Sequence, residues 1–450
     1  MSYLRQESLF TLQELFEMDQ KDRFELIFAT IDITPALVLL RKSTRRGRPE
    51  VINYRAMIYS LMAQIVERIP FVSDLVKRLK SDVAFRWYCG FSLNDRIPSE
   101  SSYTRLVTVL SKSNVLSLLF NQLVLSAMNE GFIADDAIAI DATHVEARDQ
   151  APQKETKPVK QPKKRGRKSK EEQATLQEQK ATEEATKGIY EKQIADQLGE
   201  SVVSLIEQMP IDPKWGIKCN SQGKNVFWFG YKVHLAVGTK SQYVLSQLLS
   251  SGNLNDGKAA IPLLKQIRTR FPNHVIRYGI LDAGYDHEPI YAQLLEMNAH
   301  GIIAYNKRRE PEMVGFDEHF APTCVREHSY RYDSYDQKYQ TIKYGRPKEC
   351  STCPLAHDSL CQKVFKVKIT SDLRKYCAPA RGSERWKELF KQRSSVERVF
   401  AYLKQYFGLN QIRYRTGKRA KFQIDLITLV YNGIKLALDR LNARLDVLAA

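Results

Sequence analysis

Two aspartates each close a short apolar run: Asp141 follows Ala137-Ile-Ala-Ile140, and Asp282 follows Gly279-Ile-Leu281. Both runs have the profile of buried strands. An ionised carboxylate in such surroundings is costly unless it is paired or binds a metal. A single aspartate at a strand end can simply turn the chain, but two of them restrict the fold to one whose buried strands end in acids. Reading outward, the pattern predicts strands over 137–145, 226–237, 243–249, 274–282 and 301–305, with helices over 257–270 and 288–297. The order is β, ββ, α, β, α, β, which makes residues 131–450 an α/β domain. Before it, residues 1–130 read as a helical N-terminal domain, with apolar spacing in Ile58, Leu61, Met62 and Ile65 and again in Leu106, Val109 and Leu110. Two stretches interrupt the α/β pattern: a basic insertion at 148–205 that contributes no core, and a polar, irregular, cysteine-bearing insertion at 306–383. Two helices over 384–407 and 422–445 finish the chain, joined by a basic link at 411–421.

A third acid enters from the first of these helices. At 100° per residue, Leu389, Val396, Phe400, Leu403 and Phe407 form one stripe. Phe390, Arg393, Glu397 and Lys404 flank it. The plain reading of Glu397 is an i,i+4 ion pair with Arg393, worth about 0.5 kcal/mol or less. Taken with Asp141 and Asp282, however, two strands and a helix would supply three carboxylates that repel one another until cations enter. Hard oxygen donors suit Mg²⁺ or Mn²⁺. Two such ions about 4 Å apart support in-line displacement at phosphorus.

At these residues the sequence resembles the bacterial insertion-sequence transposases of the DDE class, whose catalytic domain has an RNase H-like fold. Ala139-Ile-Asp141-Ala-Thr143 is similar to their first-aspartate strand, and Leu281-Asp282-Ala-Gly-Tyr285-Asp286 to their Asp-x-Gly-Tyr element. Their signature of Tyr, Arg, Glu and Lys is matched with its spacing intact by Phe390, Arg393, Glu397 and Lys404. Phe390 departs from the tyrosine. Gly230-Tyr-Lys-Val-His-Leu-Ala236 resembles the second strand, and Arg46-Gly-Arg-Pro49 with Ile97-Pro-Ser-Glu-Ser-Ser-Tyr103 resembles the helical N-terminal domain, so the likeness covers most of the chain outside the insertions. It implies strand cleavage and joining of 3′-hydroxyls to target DNA, catalysed with two metal ions on Asp141, Asp282 and Glu397. It also implies contact of Arg393 with phosphate, positioning of the DNA end by Lys404, and at least a dimer. A metal-dependent nuclease without strand transfer shares every ligand, and an inactive DNA-binding derivative shares the basic surfaces.

Charge agrees with a polyanionic partner: 69 Lys and Arg against 51 Asp and Glu give +18. Nine Lys or Arg lie between Lys154 and Lys170, while Arg413, Arg415, Lys418, Arg419 and Lys421 crowd the later link. Such runs neutralise phosphates of double-stranded DNA, and the Arg-Gly-Arg cores at 46–48 and 165–167 suit an A·T-rich minor groove; the plain reading of such runs is a solvated linker. Of seven cysteines, five fall between Cys324 and Cys377. That grouping is unlike a distributed disulfide framework. Cys350, Cys353, Cys361 and Cys377 form a candidate structural Zn²⁺ set, with His357 or Cys324 as substitutes; unpaired thiols in a mobile insertion are the alternative. His144 and Glu146 read as strand-end polar residues. The apolar stretch at 24–40 is interrupted by Glu25, Asp32 and Pro35, so no membrane span is expected. With no secretory signal at the N-terminus, a cytoplasmic, nucleoid-associated, prokaryotic protein is the expectation.

Overall fold

The computed structural model describes residues 17–41, 52–152, 186–219, 222–356 and 361–449. Its first part is helical: α1 (Gln20–Thr30), α2 (Thr34–Leu40), α3 (Tyr54–Val66), α4 (Val72–Ser81), α5 (Val83–Tyr88), α6 (Glu100–Ser111) and α7 (Val115–Asn129). Local chemistry sets the starts of α3 and α6, where the Asn53 and Ser99 side chains accept the Ala56 and Ser102 amides that a helix start leaves unpaired. There follow β1 (Ala137–Glu146), α8 (Val202–Glu207), β2 (Lys214–Cys219), β3 (Asn225–Gly238), β4 (Val244–Ser251), α9 (Gly257–Arg270), β5 (Tyr278–Leu281), α10 (Glu288–Glu296) and β6 (His300–Ile303). The chain continues through β7 (Arg331–Asp336), β8 (Thr341–Gly345) and β9 (Val364–Lys368), and ends in α11 (Glu384–Lys391), α12 (Ser394–Phe407) and α13 (Gly417–Ala449).

The larger sheet runs β4-β3-β1-β5-β6, antiparallel from β4 to β1 and parallel from β1 to β6, with β2 alongside the first half of β3. This is the strand order of an RNase H-like fold. Gly230 lies where β3 crosses closest to β1: a Cβ there would stand 2.2 Å from the Val145 carbonyl oxygen, so the pairing requires glycine. Neighbouring contacts identify the two faces. Cβ atoms added at Gly279 and Gly301 would strike Leu294 and Tyr291 of α10, whereas Ile280 and Ile302 pack with Leu389 of α11. Helices therefore cover both sides, which is why β1 opens with four fully buried residues.

α13 joins the sheet to the N-terminal helices. It packs on β4 and on α1, α3, α6 and α7, and its Asn432 side chain accepts the Val244 amide at 3.0 Å and donates to the Val244 carbonyl at 2.8 Å. One continuous core holds Leu61 and Leu123 from the helical part together with Ile140, Leu235 and Ile434.

Three expectations change. The helix read over 384–407 is two helices, because α11 lies on β5 and β6 and α12 on β1 and β3, so the chain turns at Gln392 and Arg393. Residues 186–205 were read as lying outside the core, yet Ile189, Tyr190 and Leu205 are part of it, and the Tyr190 hydroxyl donates to the Leu205 carbonyl at 2.7 Å. Residues 306–383, read as irregular, contain the antiparallel sheet β7-β8-β9 with a core of its own that includes Tyr330, Ile342, Tyr344 and Ile369. The basic run from Lys154 to Lys170, the Arg46-Gly-Arg48 segment and His357 lie outside the described residues.

Candidate active site

Strand register brings the two aspartates together. β1 and β5 pair in parallel as Ala137 with Tyr278, Ile138 with Gly279 and Ala139 with Ile280. Two residues further on, where this ladder ends, stand Asp141 and Asp282. They share the parity of Ala139 and Ile280 and so face α11 and α12, with Asp282 at the carboxyl end of β5 and Asp141 in the middle of β1, just past its parallel pairing with β5. The Asp141 Oδ1 accepts the Ala142 amide at 2.8 Å. Burial, opposed by this bond and reinforced by the charge of Asp282, pushes the Asp141 carboxyl up to about 6. Asp282 Oδ1 accepts the Gly284 amide at 2.8 Å, so it does cap the following turn, using one of its two oxygens.

α12 brings the third acid. Glu397 sits in its first turn, half exposed, and accepts Arg393 Nη2 at 2.6 Å. Arg393 Nη1 lies 3.8 Å from Asp141 Oδ2. The guanidinium thus bridges Glu397 and Asp141 across the gap between helix and strand. Among the described residues no three Asp, Glu, His or Cys side chains stand close enough to hold a metal as they are; the cation between these carboxylates is Arg393. The donor set nevertheless fits a hard divalent ion: all its atoms are carboxylate oxygens, and burial together with the neighbouring Asp282 disfavours the Asp141 charge until a cation approaches.

A basic flank lies beside the acids. Burial, then Lys218, lowers the Lys404 ammonium, with Asp141 opposing. His144 packs against Trp228 at 4.9 Å and is pulled below its ordinary value by burial, Lys404 and Lys218. Phe390, in the tyrosine position of the signature, stacks on Trp386 at 5.0 Å. One neighbour escaped the sequence reading, and a second, Tyr285, was read only as part of the Asp-x-Gly-Tyr element. Asp256, paired with Lys232 at 2.8 Å, is near enough to raise Asp141, and the only signal for it is Asn255-Asp-Gly257, which reads as an ordinary turn. Tyr285 is wholly enclosed with Asp256, Asp141 and Asp282 as charged neighbours, and its hydroxyl has no hydrogen-bond partner among the described residues.

The basic link takes two different roles. A cavity of about 540 Å³ between the N-terminal helices and the link is lined by Phe71, Arg148, Arg413, Arg415 and Arg419, among others. Arg413 is used internally: Nη1 donates to the Ile69 carbonyl at 2.7 Å, and its amide donates to Gln423 at 2.7 Å. Arg419 Nη2 donates to the Thr108 hydroxyl at 2.8 Å. Arg415 and Lys418 are exposed. The sequence treated these four alike as DNA contacts, whereas Arg413 and Arg419 clamp the link to the helical part. Arg415→Ala and Lys418→Ala should each reduce the slope of log affinity for DNA against log salt by about 1 without altering the melting temperature. Arg413→Ala should lower the melting temperature. Fluorescence anisotropy across a salt series decides, and an unchanged slope in both exposed variants removes them from the interface.

Among the cysteines, Cys324, Cys350, Cys353 and Cys361 line a single cavity. Cys377 does not join them: it is buried, and its thiol donates to the Pro379 carbonyl at 3.3 Å. The four-thiol set read from the sequence is corrected accordingly, with Cys324 in place of Cys377.

Among the described residues, no helix is long and apolar enough to cross a membrane. Comparison with known families gives two matches, to the Transposase DDE domain over residues 134–432 and to the Transposase domain (DUF772) over residues 11–108. The first spans well over half of the chain. No curated protein matches. Among solved structures, the chain is similar to the piggyBac transposase synaptic complex with hairpin DNA determined by cryo-EM, with 11% identity and a TM-score of 0.33, over 95% of this chain and 74% of that one.

Proposed function

We propose, because this chain belongs to the insertion-sequence type of DDE transposase family, that its chemistry runs through Asp141, Asp282 and Glu397. The family catalyses DNA cleavage and strand transfer, and this chain is a DNA transposase. The observation that carries the assignment of residues is the register that sets Asp141, just past the parallel pairing of β1, beside Asp282 at the end of β5, with Arg393 linking Asp141 to Glu397 on α12. The family generally uses divalent metal ions; here the three carboxylates would hold Mg²⁺ or Mn²⁺, which when bound activates a water or 3′-hydroxyl and stabilises the leaving oxygen. Arg393 would then leave the carboxylates and turn to a DNA phosphate, exchanging one anionic partner for another. Lys404, beside Asp141, would hold the DNA end, and Arg415 and Lys418 would extend the contact along the backbone. Residues 1–130 would serve DNA-end binding or dimerisation, since cutting two ends together needs at least a dimer. A net charge of +18 supports binding to DNA as a polyanion.

The deciding test is excision of the gene with its flanking DNA from a donor plasmid in Mg²⁺, comparing wild type with Asp141→Asn, Asp282→Asn and Glu397→Gln. Excision and joining by the wild type alone, with DNA binding kept in all four proteins, supports the assignment. Cleavage without joining favours a nuclease, variants as active as wild type refute the triad, and binding without cleavage in the wild type indicates an inactive derivative.

Proton competition supplies an independent check. A carboxyl raised to about 6 holds its proton below that pH, and a metal must displace it. Mn²⁺ affinity should therefore rise with pH, by up to about tenfold per unit below 6, and level off above it. Titration calorimetry at several pH values measures this, with Asp141→Asn as the control whose slope disappears. An affinity that does not change with pH across this window removes Asp141 from the ligand set.

A further inference from the structure

The cysteine-bearing module has a structural problem that its side chains are equipped to solve. Its core, built around Tyr330, Ile342, Tyr344 and Ile369, is small, and outward residues of β7 and β9 are exposed. Modules with so little buried apolar surface commonly depend on a metal or a disulfide. None of the four cavity cysteines is in a disulfide.

Three separate stretches deliver these thiols to one place. Cys324 opens a tight turn in which its amide donates to the His328 carbonyl at 2.9 Å and the Glu327 amide returns to the Cys324 carbonyl at 2.8 Å. Glu327 adopts a φ of +62° to close it. Cys350 and Cys353 lie on the short turn after β8, where the Cys353 amide approaches the Cys350 carbonyl at 3.5 Å. Cys361 precedes β9 and is held in place by the buried Tyr330, whose hydroxyl donates to the Gln362 carbonyl at 2.7 Å. The four thiols rim a cavity of about 140 Å³. Arg326 Nη1 stands 3.9 Å from the Cys353 sulfur, and Arg346 Nη2 donates to the Ala356 carbonyl at 3.1 Å, just past the Cys350–Cys353 turn. Two guanidinium groups thus lie where a four-thiolate centre would carry excess negative charge.

We propose that Cys324, Cys350, Cys353 and Cys361 bind one structural Zn²⁺ that ties the turn before β7 to the β8–β9 connection. The thiols rim the cavity without converging on a point, and zinc would draw them inward to Zn–S distances of about 2.3 Å. Each thiol gives up its proton to solvent as its sulfur binds, with no change of oxidation state. The site stands apart from Asp141, Asp282 and Glu397 and does not rest on their assignment.

The test uses the full chain, purified under reducing conditions without a metal-binding tag and incubated with ZnCl₂. After desalting, elemental analysis should find about one zinc per chain in the wild type and at least about tenfold less in Cys350→Ser and Cys324→Ser. Cys377→Ser and Cys89→Ser should retain it. Because a serine variant can misfold, the wild type carries a second measurement: reaction with a thiol reagent before and after a strong chelator should show four additional reactive cysteines after chelation. Zinc-free wild type, a loss in Cys377→Ser equal to that in Cys350→Ser, or thiol reactivity unaffected by the chelator each overturn the proposal.

Discussion

Asp141→Asn should lower excision by about a thousandfold or more, since loss of transition-state stabilisation costs tenfold for each ~1.4 kcal/mol and a metal ligand supplies several. The substitution is close to isosteric, and the Ala142 amide keeps an oxygen to which it can donate. Folding should therefore survive: burial disfavours the charge on Asp141, its carboxyl pushed up to about 6, so replacing the carboxylate with an amide removes an unfavourable group in the metal-free protein. Thermal unfolding without metal should show Asp141→Asn at least as stable as wild type, while added Mn²⁺ stabilises only the wild type. DNA affinity in a metal-free buffer should be unchanged or slightly higher, because one negative charge beside Lys404 is gone. An excision rate within about tenfold of wild type would refute the role of Asp141, whereas loss of activity with loss of folding would point to a structural part in β1.

The two aspartates proposed for this site were legible because their surroundings are so apolar. Ala137-Ile-Ala-Ile140 and Gly279-Ile-Leu281 hold no polar side chain, and the buried parallel strands they form lie within about four residues of the expected ranges. The helix over 257–270 was read with its observed ends. The break at Gln392 and Arg393 was not legible, since both residues favour helix and the turn is imposed from outside, by the different strands beneath α11 and α12. β7 has the burial pattern of a strand exposed on most of its length, so Arg331-Tyr-Asp-Ser-Tyr-Asp336 shows no apolar alternation to read. The grouping of thiols failed for a related reason. Nothing in the spacing from the Cys350–Cys361 run decides between Cys324 and Cys377, and only the packing of residues 377–381 against the larger sheet separates them. Likewise, nothing in Asn255-Asp-Gly257 distinguishes a turn from an acid beside Asp141.

The largest effect on stability should come from Asp286→Ala. Asp286 is wholly buried and its carboxylate ties the second insertion to the sheet and to α10: Oδ2 accepts Arg374 Nη2 at 2.7 Å, Arg374 Nε at 3.2 Å and the Asn306 amide at 2.9 Å, while Oδ1 accepts the Tyr291 hydroxyl of α10 at 2.8 Å. Arg374 also binds Glu310 and lies over the Tyr305 ring at 5.1 Å. Tyr305, then Arg374, hold the Glu310 carboxyl down to about 2. Truncating Asp286 would leave a largely buried guanidinium with Glu310 and the Asn306 carbonyl as its remaining partners, and breaking a buried pair in this way costs about 3–5 kcal/mol. Asp286→Asn should cost less, since an amide oxygen can still accept from Arg374 or Tyr291 but loses the charge. The damage should be local before it is global. Limited proteolysis should cut within 306–382 at lower protease concentration than in wild type, because Arg374 and Asn306 no longer anchor that module beside β5. Asp282 lies four residues from Asp286 on the same turn, so the variant should also bind Mn²⁺ more weakly even where it remains folded. Denaturant unfolding within about 1 kcal/mol of wild type, with unchanged proteolysis, would show that the Arg374–Glu310 pair holds the module without Asp286.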